Sequence, residues 1–225
     1  MFRVAIPKMK MTIPLLEAQI NYPTYRKFFI AKKRGGRREI CSPEGILKII
    51  QKELNYSLQA YYSCIRPNES YGFVTNSRHL KNFCNIVKNA KVHVGKQYVL
   101  NIDLKDFFSN ISAKQVKELF LSHYFNFTEE ISIALTLLTT YKGSLPTGAP
   151  TSPVISNFIC LKLDAELRTF CDENELRFSR YADDLTFSSD IKFSEEIVSK
   201  IRFLIEENGF IINYKKWHIK SKNQR

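Results

Sequence analysis

Hydrophobic positions recur along this chain with two periods, and Gly, Pro, Ser or Asn bound each stretch. Two short stretches, the apolar 28–31 and the mixed 38–41, on either side of Gly35-Gly36, predict a β-hairpin with its turn over 32–37. Ser42-Pro43 then opens a long amphipathic helix to about residue 62. Residues 66–76 are polar and predict a loop, and Ser77 is placed to cap a second helix over 77–89. A short apolar strand, 98–103, ends on a carboxylate. Ser112 and Thr128 cap helices that run to about 122 and 141. Residues 143–150, with two prolines and two glycines, predict a loop. One long helix is predicted over 152–173, with Pro153 tolerated in its first turn. Two strands, 178–182 and 185–188, are joined by Asp183-Asp184. A helix over 194–208 ends at Gly209, a last strand covers 210–214, and a basic tail, 215–225, carries five positive charges.

This order of elements predicts an α+β fold: an antiparallel sheet with helices on one face. The longest apolar runs, 131–138 and 154–161, fall short of the roughly 18–20 residues of a membrane span, so no membrane partner is expected. Residues 1–11 lack the apolar core and cleavage site of a signal peptide. No Gly-x-x-x-x-Gly-Lys-[Ser/Thr] loop is present. The five cysteines are odd in number and without metal-ligand spacing. They read as free thiols, and the expected location is the cytoplasm.

Charge changes the picture more than composition does. The net charge is +12, but residues 1–102 hold 18 Lys+Arg against 5 Asp+Glu, while residues 103–225 hold 16 against 17. The whole positive excess lies in the first half, which points to a polyanion held through phosphate contacts. A basic surface without a partner is the plainer alternative.

The acidic half contains the candidate chemistry. Adjacent acids at a hairpin tip are ordinary turn residues, but Asp183 and Asp184 repel each other unless a cation lies between them. Hard oxygen ligands of this kind suit Mg²⁺. Asp103, at the end of another short strand, is either a helix N-cap or a third carboxylate meeting the pair across a sheet. Three such carboxylates can hold two metal ions roughly 3.5–4 Å apart.

These residues carry a resemblance. Asp103-Leu104-Lys105-Asp106-Phe107-Phe108 resembles the first palm motif of reverse transcriptases, and Tyr181-Ala182-Asp183-Asp184 resembles their Y-x-D-D box. Leu145-Pro146-Thr147-Gly148-Ala149-Pro150-Thr151-Ser152-Pro153 resembles the motif between them. Gly209 through Asn213 to Lys216 resembles the G…N-x-x-K element that follows. The four occur in the family's order. A fifth match, Asn89-Ala90-Lys91-Val92-His93, resembles the N-A-x-x-H element of retron reverse transcriptases and separates them from group II intron relatives.

The resemblance implies a right-hand polymerase: a fingers-rich basic region over 1–97, then a palm over 98–225 with fingers elements inserted at 112–150. It implies Asp103, Asp183 and Asp184 as catalytic ligands of two Mg²⁺ ions, joined by the Leu104 carbonyl. Main-chain N–H groups around Lys105–Phe108, which include Asp106, Phe107 and Phe108, would touch the triphosphate. Phe108 would be the ring that excludes a 2′-OH, with a core phenylalanine as its alternative; Phe107 would face the core. Arg38 and Lys33 (or Lys32) would hold the incoming nucleotide, with a solvated basic turn as the alternative. Gly148 would allow close approach to nucleotide or template. Lys216 would aid pyrophosphate departure, or simply attract phosphate. Asn89 and His93 would be RNA-contacting or structural.

The implied activity is RNA-directed DNA synthesis from dNTPs on a cognate structured non-coding RNA that serves as template and primer. The implied product is RNA-linked single-stranded DNA, in systems that defend against phage with an accessory effector protein. Thr147 departs from the Gln of many relatives. The family's V-T-G element and helical thumb do not fall within the 225 residues. Two other readings stand beside this one: a reverse transcriptase of another lineage, and an RNA-binding scaffold without catalysis. An RNA-dependent RNA polymerase fits less well, because Ala182 stands where those enzymes place Gly and Phe108 is bulky.

Overall fold

A computed structural model of the chain describes residues 12–31, 35–75 and 84–222. The chain forms two compact units, residues 1–62 with 111–159 and residues 63–110 with 160–225. Among the described residues, 63–75 and 84–97 group with the second unit and 111–159 with the first.

The first unit opens with α1 (Ile13–Asn21), which the hydrophobic pattern did not predict. Strands β1 (Tyr25–Ala31) and β2 (Arg37–Pro43) form an antiparallel hairpin, in register from Tyr25 opposite Pro43 to Ala31 opposite Arg37. Pro43 therefore ends a strand instead of opening a helix, and α2 (Gly45–Ile65) starts later and runs further than expected. Leu47 and Ile50 of α2 pack with Leu138 in the core. Gln51 is fully buried beside them; its amide donates to the Leu138 carbonyl at 2.8 Å and to Tyr25 Oη at 3.0 Å, which satisfies the buried group. Helix α4 (Ala113–Leu121) begins with a capping box between Ser112 and Gln115. Helices α5 (Glu129–Thr139) and α6 (Ser152–Ile159) complete the unit.

The second unit is built on a four-stranded antiparallel sheet of β3 (Tyr98–Asp103), β4 (Arg177–Tyr181), β5 (Asp184–Ser189) and β6 (His218–Ser221), in the order β4-β5-β3-β6. Residues paired in register share a face, and successive residues alternate faces. One face is apolar: Leu100, Ile102, Phe178, Leu185 and Phe187 are all buried. Helix α7 (Leu161–Glu173) packs along β4 and against α8 (Glu195–Glu207), and its Asp164 pairs with Arg180 of that same face. The other face is polar, presenting Asn101, Asp103, Ser179, Asp184, Thr186 and Ser188. The expected antiparallel sheet is present, but three details differ.

The predicted helix over 152–173 is two, α6 and α7, which meet at Cys160, where ψ flattens to −8°. The predicted strand 210–214 shrinks to a single bridge between Ile212 and Leu104, followed by a 3-10 turn over Tyr214–Lys216. The fourth strand forms instead in the supposed tail, where β6 pairs with β3 from Asn101–His218 to Tyr98–Ser221. Most of the helix expected at 77–89 lies outside the described residues. The part described, α3 (Ile86–Lys91), is capped by Asn85, whose side chain accepts from the Lys88 N–H at 2.8 Å. Among the described residues no helix is long and apolar enough to cross a membrane.

Candidate metal and nucleotide site

The turn between β4 and β5 is Ala182-Asp183, one residue earlier than predicted, so Asp184 is the first residue of β5. Ala182 has φ +59°, a left-handed conformation that is costly for a residue with a Cβ. It is tolerated because the surroundings hold it. The Arg180 guanidinium donates to the Ala182 carbonyl at 3.1 Å. Arg180 is itself fully buried and makes a two-pronged bond to Asp164, at 2.7 and 2.6 Å. Nothing in the motif pattern singled out this pair. The available signal was a charge in each of two apolar stretches, Arg180 beside Phe178 and Asp164 between Leu163 and Leu167.

Strand register brings the carboxylates to one end of the sheet. Asp103 and Asp184 are direct cross-strand partners, and Asp183 sits on the adjoining turn. The Leu104 N–H donates to the Asp183 carbonyl at 2.9 Å. In an antiparallel pair, the N–H and C=O of one residue project from the same edge, so the Leu104 carbonyl faces the hairpin too. Asp103 is buried and held at both oxygens: the Lys216 ammonium bonds one, and Asn213 Nδ2 donates to the other at 2.9 Å. The bond to Asp103 raises the Lys216 ammonium above its ordinary value.

Crowding by the surrounding protein, then repulsion from Asp183 and Asp103, push the Asp184 carboxyl up to about 6, while Lys216 opposes the shift. Its edge stays exposed, which leaves a cation a route to it. Among the described residues, no three acidic, His or Cys side chains already converge on a common metal point. The donor set nevertheless fits a hard divalent cation: three carboxylates and a carbonyl, with a lysine supplying positive charge where the acids crowd.

After Asp103 the chain turns sharply. Asp106 has φ +45°, and Asn110 closes the turn through bonds to the Asp106 and Lys105 carbonyls. Phe107 is buried and stacks on Phe210, with ring centroids 5.9 Å apart. Its ring therefore belongs to the core, and only its main chain is available to a nucleotide. Phe108 stays half-buried, between Phe107 and Phe73.

Of the residues expected around the nucleotide, Arg38, Thr147 and Gly148 belong to the first unit, and Lys33 lies outside the described residues. Arg38 is exposed on β2, opposite Ile30. The Thr147 carbonyl accepts from the Cys41 N–H at 2.7 Å. Gly148 has φ +114°, and a Cβ there would lie 2.5 Å from Ile40 and 3.3 Å from the Cys41 carbonyl. The close approach seen at this glycine is to β2.

His93 is buried. Its ring nitrogens bond Ser188 Oγ at 2.8 Å and Ser179 Oγ at 2.7 Å, which leaves neither free for RNA. Of the two expectations for His93, the side chain's placement fits the structural one. Burial first, and the Arg177 charge second, bring its pKa down to about 4. Asn89 lies on α3, with its buried Oδ1 lacking a hydrogen-bond partner among the described residues.

Residues 30–225 match the family model described as "Reverse transcriptase (RNA-dependent DNA polymerase)". The chain is 40% identical over 134 residues to the retron Ec86 reverse transcriptase of Escherichia coli, an overlap of 58% of this chain and 41% of that protein. It is 33% identical over 209 residues to the E. coli retron Ec73 reverse transcriptase (86% of this chain, 63% of that protein). It is 30% identical over 230 residues to the retron Mx162 reverse transcriptase of Myxococcus xanthus, covering 89% and 45%. The chain thus spans about half the length of these relatives. Among solved structures, telomerase from Candida albicans in complex with a fragment of telomeric RNA superposes with a TM-score of 0.65. It covers 96% of this chain and 45% of that one at 11% identity, a likeness of fold alone.

Proposed function

Because the chain belongs to the reverse transcriptase family and is of the retron type, we propose that it supplies the fingers and palm of an RNA-directed DNA polymerase. Its template and primer are a cognate structured RNA, and its substrates are deoxynucleoside triphosphates. Its product is RNA-linked single-stranded DNA, and its setting is the cytoplasm. An accessory effector and a role in phage defence belong to the same proposal.

The observation that carries the reading is the β3–β5 register, which sets Asp103 opposite Asp184 beside the turn that bears Asp183. Asp103, Asp183, Asp184 and the Leu104 carbonyl would hold two Mg²⁺ ions, which when bound activate the attacking hydroxyl and stabilise the leaving phosphate. The protein's own share is positioning. The Lys105 N–H is taken by the Ile211 carbonyl at 2.7 Å, so the phosphates would be met by the backbone N–H groups of residues 106–108, and Phe108 would close the space beneath the sugar. Lys216 is the proton-carrying cation beside the carboxylates and is available to departing pyrophosphate. In the first unit, the β1–β2 hairpin exposes Arg26, Lys27, Arg37 and Arg38 among the exposed rings of Phe28 and Phe29. Such a surface suits phosphates and bases together.

The test is primer extension on the cognate RNA by the unsubstituted protein and by Asp183→Asn, with RNA binding measured in parallel. Extension abolished while binding persists supports the polymerase. An Asp183→Asn protein that extends normally refutes the assignment. RNA binding by a protein that never extends a primer would favour the scaffold reading.

A further inference from the structure

We propose that residues 69–73 form a bracket tying the carboxylate-bearing turn to the sugar-excluding ring, with Phe73 as the residue that holds Phe108 in its discriminating position. The inference deepens the polymerase reading and rests on it. Residues 69–71 run along the outer edge of β4: the Tyr71 N–H donates to the Arg180 carbonyl at 2.9 Å, and the Arg180 N–H donates to the Glu69 carbonyl at 2.8 Å. The next residue meets the turn itself. A Cβ on Gly72 would lie 2.2 Å from Ala182 N and 2.8 Å from Tyr181 C, both backbone atoms that cannot move aside without displacing the turn. Glycine is needed here for proximity, because Gly72 does not have a positive φ.

Phe73 follows with φ +58°, a conformation rarely adopted by an aromatic residue. It directs the ring onto Phe108, with centroids 5.6 Å apart and planes at 30°. Phe107 also packs on Phe108, at 5.4 Å and 46°, and is itself buried in the core against Phe210. Of these two ring contacts, one comes from a buried core residue and the other from a loop residue in a left-handed conformation. A ring excludes a 2′-OH only while it cannot swing away, and discrimination then comes from the clash. The loop that braces the ring also abuts the turn beneath Asp183. The surface that would meet the sugar and the carboxylates that would meet the phosphates thus share one support.

The test uses the full chain on an RNA template-primer and measures single-nucleotide kcat/KM for deoxy- and ribonucleotides. The proteins compared are unsubstituted, Phe73→Ala, Phe73→Tyr and Phe108→Ala. Phe73→Ala is expected to lower the deoxy-to-ribo ratio at least tenfold, Phe73→Tyr to keep it because the ring remains, and Phe108→Ala to lower it further. A merely structural role would reduce both sugars alike, and an unchanged ratio in Phe73→Ala overturns the proposal. If Phe73→Ala does not fold, Phe73→Leu is read by the same criterion. An unsubstituted protein that makes no DNA, or a Phe108→Ala protein with an unchanged ratio, overturns the polymerase or gate reading first, and this proposal with it.

Discussion

Strands β4 and β5 end in opposite ways. At the hairpin end, the fold gathers three carboxylates, forces Ala182 into a left-handed conformation, and leaves Asp184 protonating near 6. Further along the same polar face, His93 is fitted between Ser179 and Ser188 with both nitrogens bonded, buried and neutral. One end accumulates unfavourable charge that a cation would relieve, whereas the other satisfies its polar groups internally. Functional sites concentrate this kind of strain, and the surrounding structure must hold it in place. In this chain the holding falls to Arg180, Asp164 and residues 69–73 on one side and to His93 on the other.

The largest expected effect breaks the acidic end alone. Asp183→Asn should lower DNA synthesis by at least about a thousandfold, since a metal's transition-state stabilisation is worth several kcal/mol. Removing one of three crowded charges should leave unfolding in urea unchanged or slightly harder. A large loss of stability in this variant would erase the distinction between the two ends.

Next comes the support beneath the turn. Arg180→Met leaves Asp164 buried without its partner, which costs about 3–5 kcal/mol in denaturant unfolding. The double variant Arg180→Met with Asp164→Leu should recover most of that stability. It would still lack the anchor on the Ala182 carbonyl, so its extension rate should remain low. Full recovery of both would show that the pair serves the fold only.

His93 gives a pH signature of similar or smaller size. Its folded pKa, about 4, lies below the ordinary 6.5, so its contribution is complete above 6.5 and is lost as pH falls toward 4. A shift of this size corresponds to about 3 kcal/mol. Asp184 has the opposite sign. Its raised pKa favours the folded state at low pH, and that benefit fades as pH rises through about 6. Because the two oppose each other over nearly the same window, the informative quantity is the difference between proteins: unfolding followed between pH 7 and 4 should show His93→Gln gaining stability relative to the unsubstituted protein as the pH falls. A pH profile parallel to that of the unsubstituted protein would remove His93 from the pH dependence. The smallest effect expected is a rise of a few degrees in melting temperature on adding Mg²⁺, present in the unsubstituted protein and absent in Asp183→Asn.

The contrast also explains what the sequence made legible. Asp103, Asp183, Asp184, Gly209 and Lys216 stand in an ordered series of motifs, and short apolar strands ending on acids already implied their meeting across a sheet. The capping residues Ser112 and Ser194 mark helix starts through local chemistry, which reads directly from residue type. The supports read poorly because they are long-range. Arg180 and Asp164 look like isolated charges until the strand and helix pack. Gly72 looks like one more loop glycine until the turn lies 2.2 Å from where its Cβ would be. The strand at His218–Ser221 was hidden because its residues lack an apolar alternation and pair as the edge of a sheet that β3 anchors. His93 was singled out by its motif, but its role emerged only with the two serines, 86 and 95 residues away.

The most direct test of the acidic end is Mn²⁺ binding by electron paramagnetic resonance, with template-primer and a non-hydrolysable deoxynucleoside triphosphate present, for the unsubstituted, Asp183→Asn and His93→Gln proteins. The account predicts tight binding in the unsubstituted protein, its loss in Asp183→Asn and its retention in His93→Gln. Equal binding by Asp183→Asn and the unsubstituted protein would contradict it.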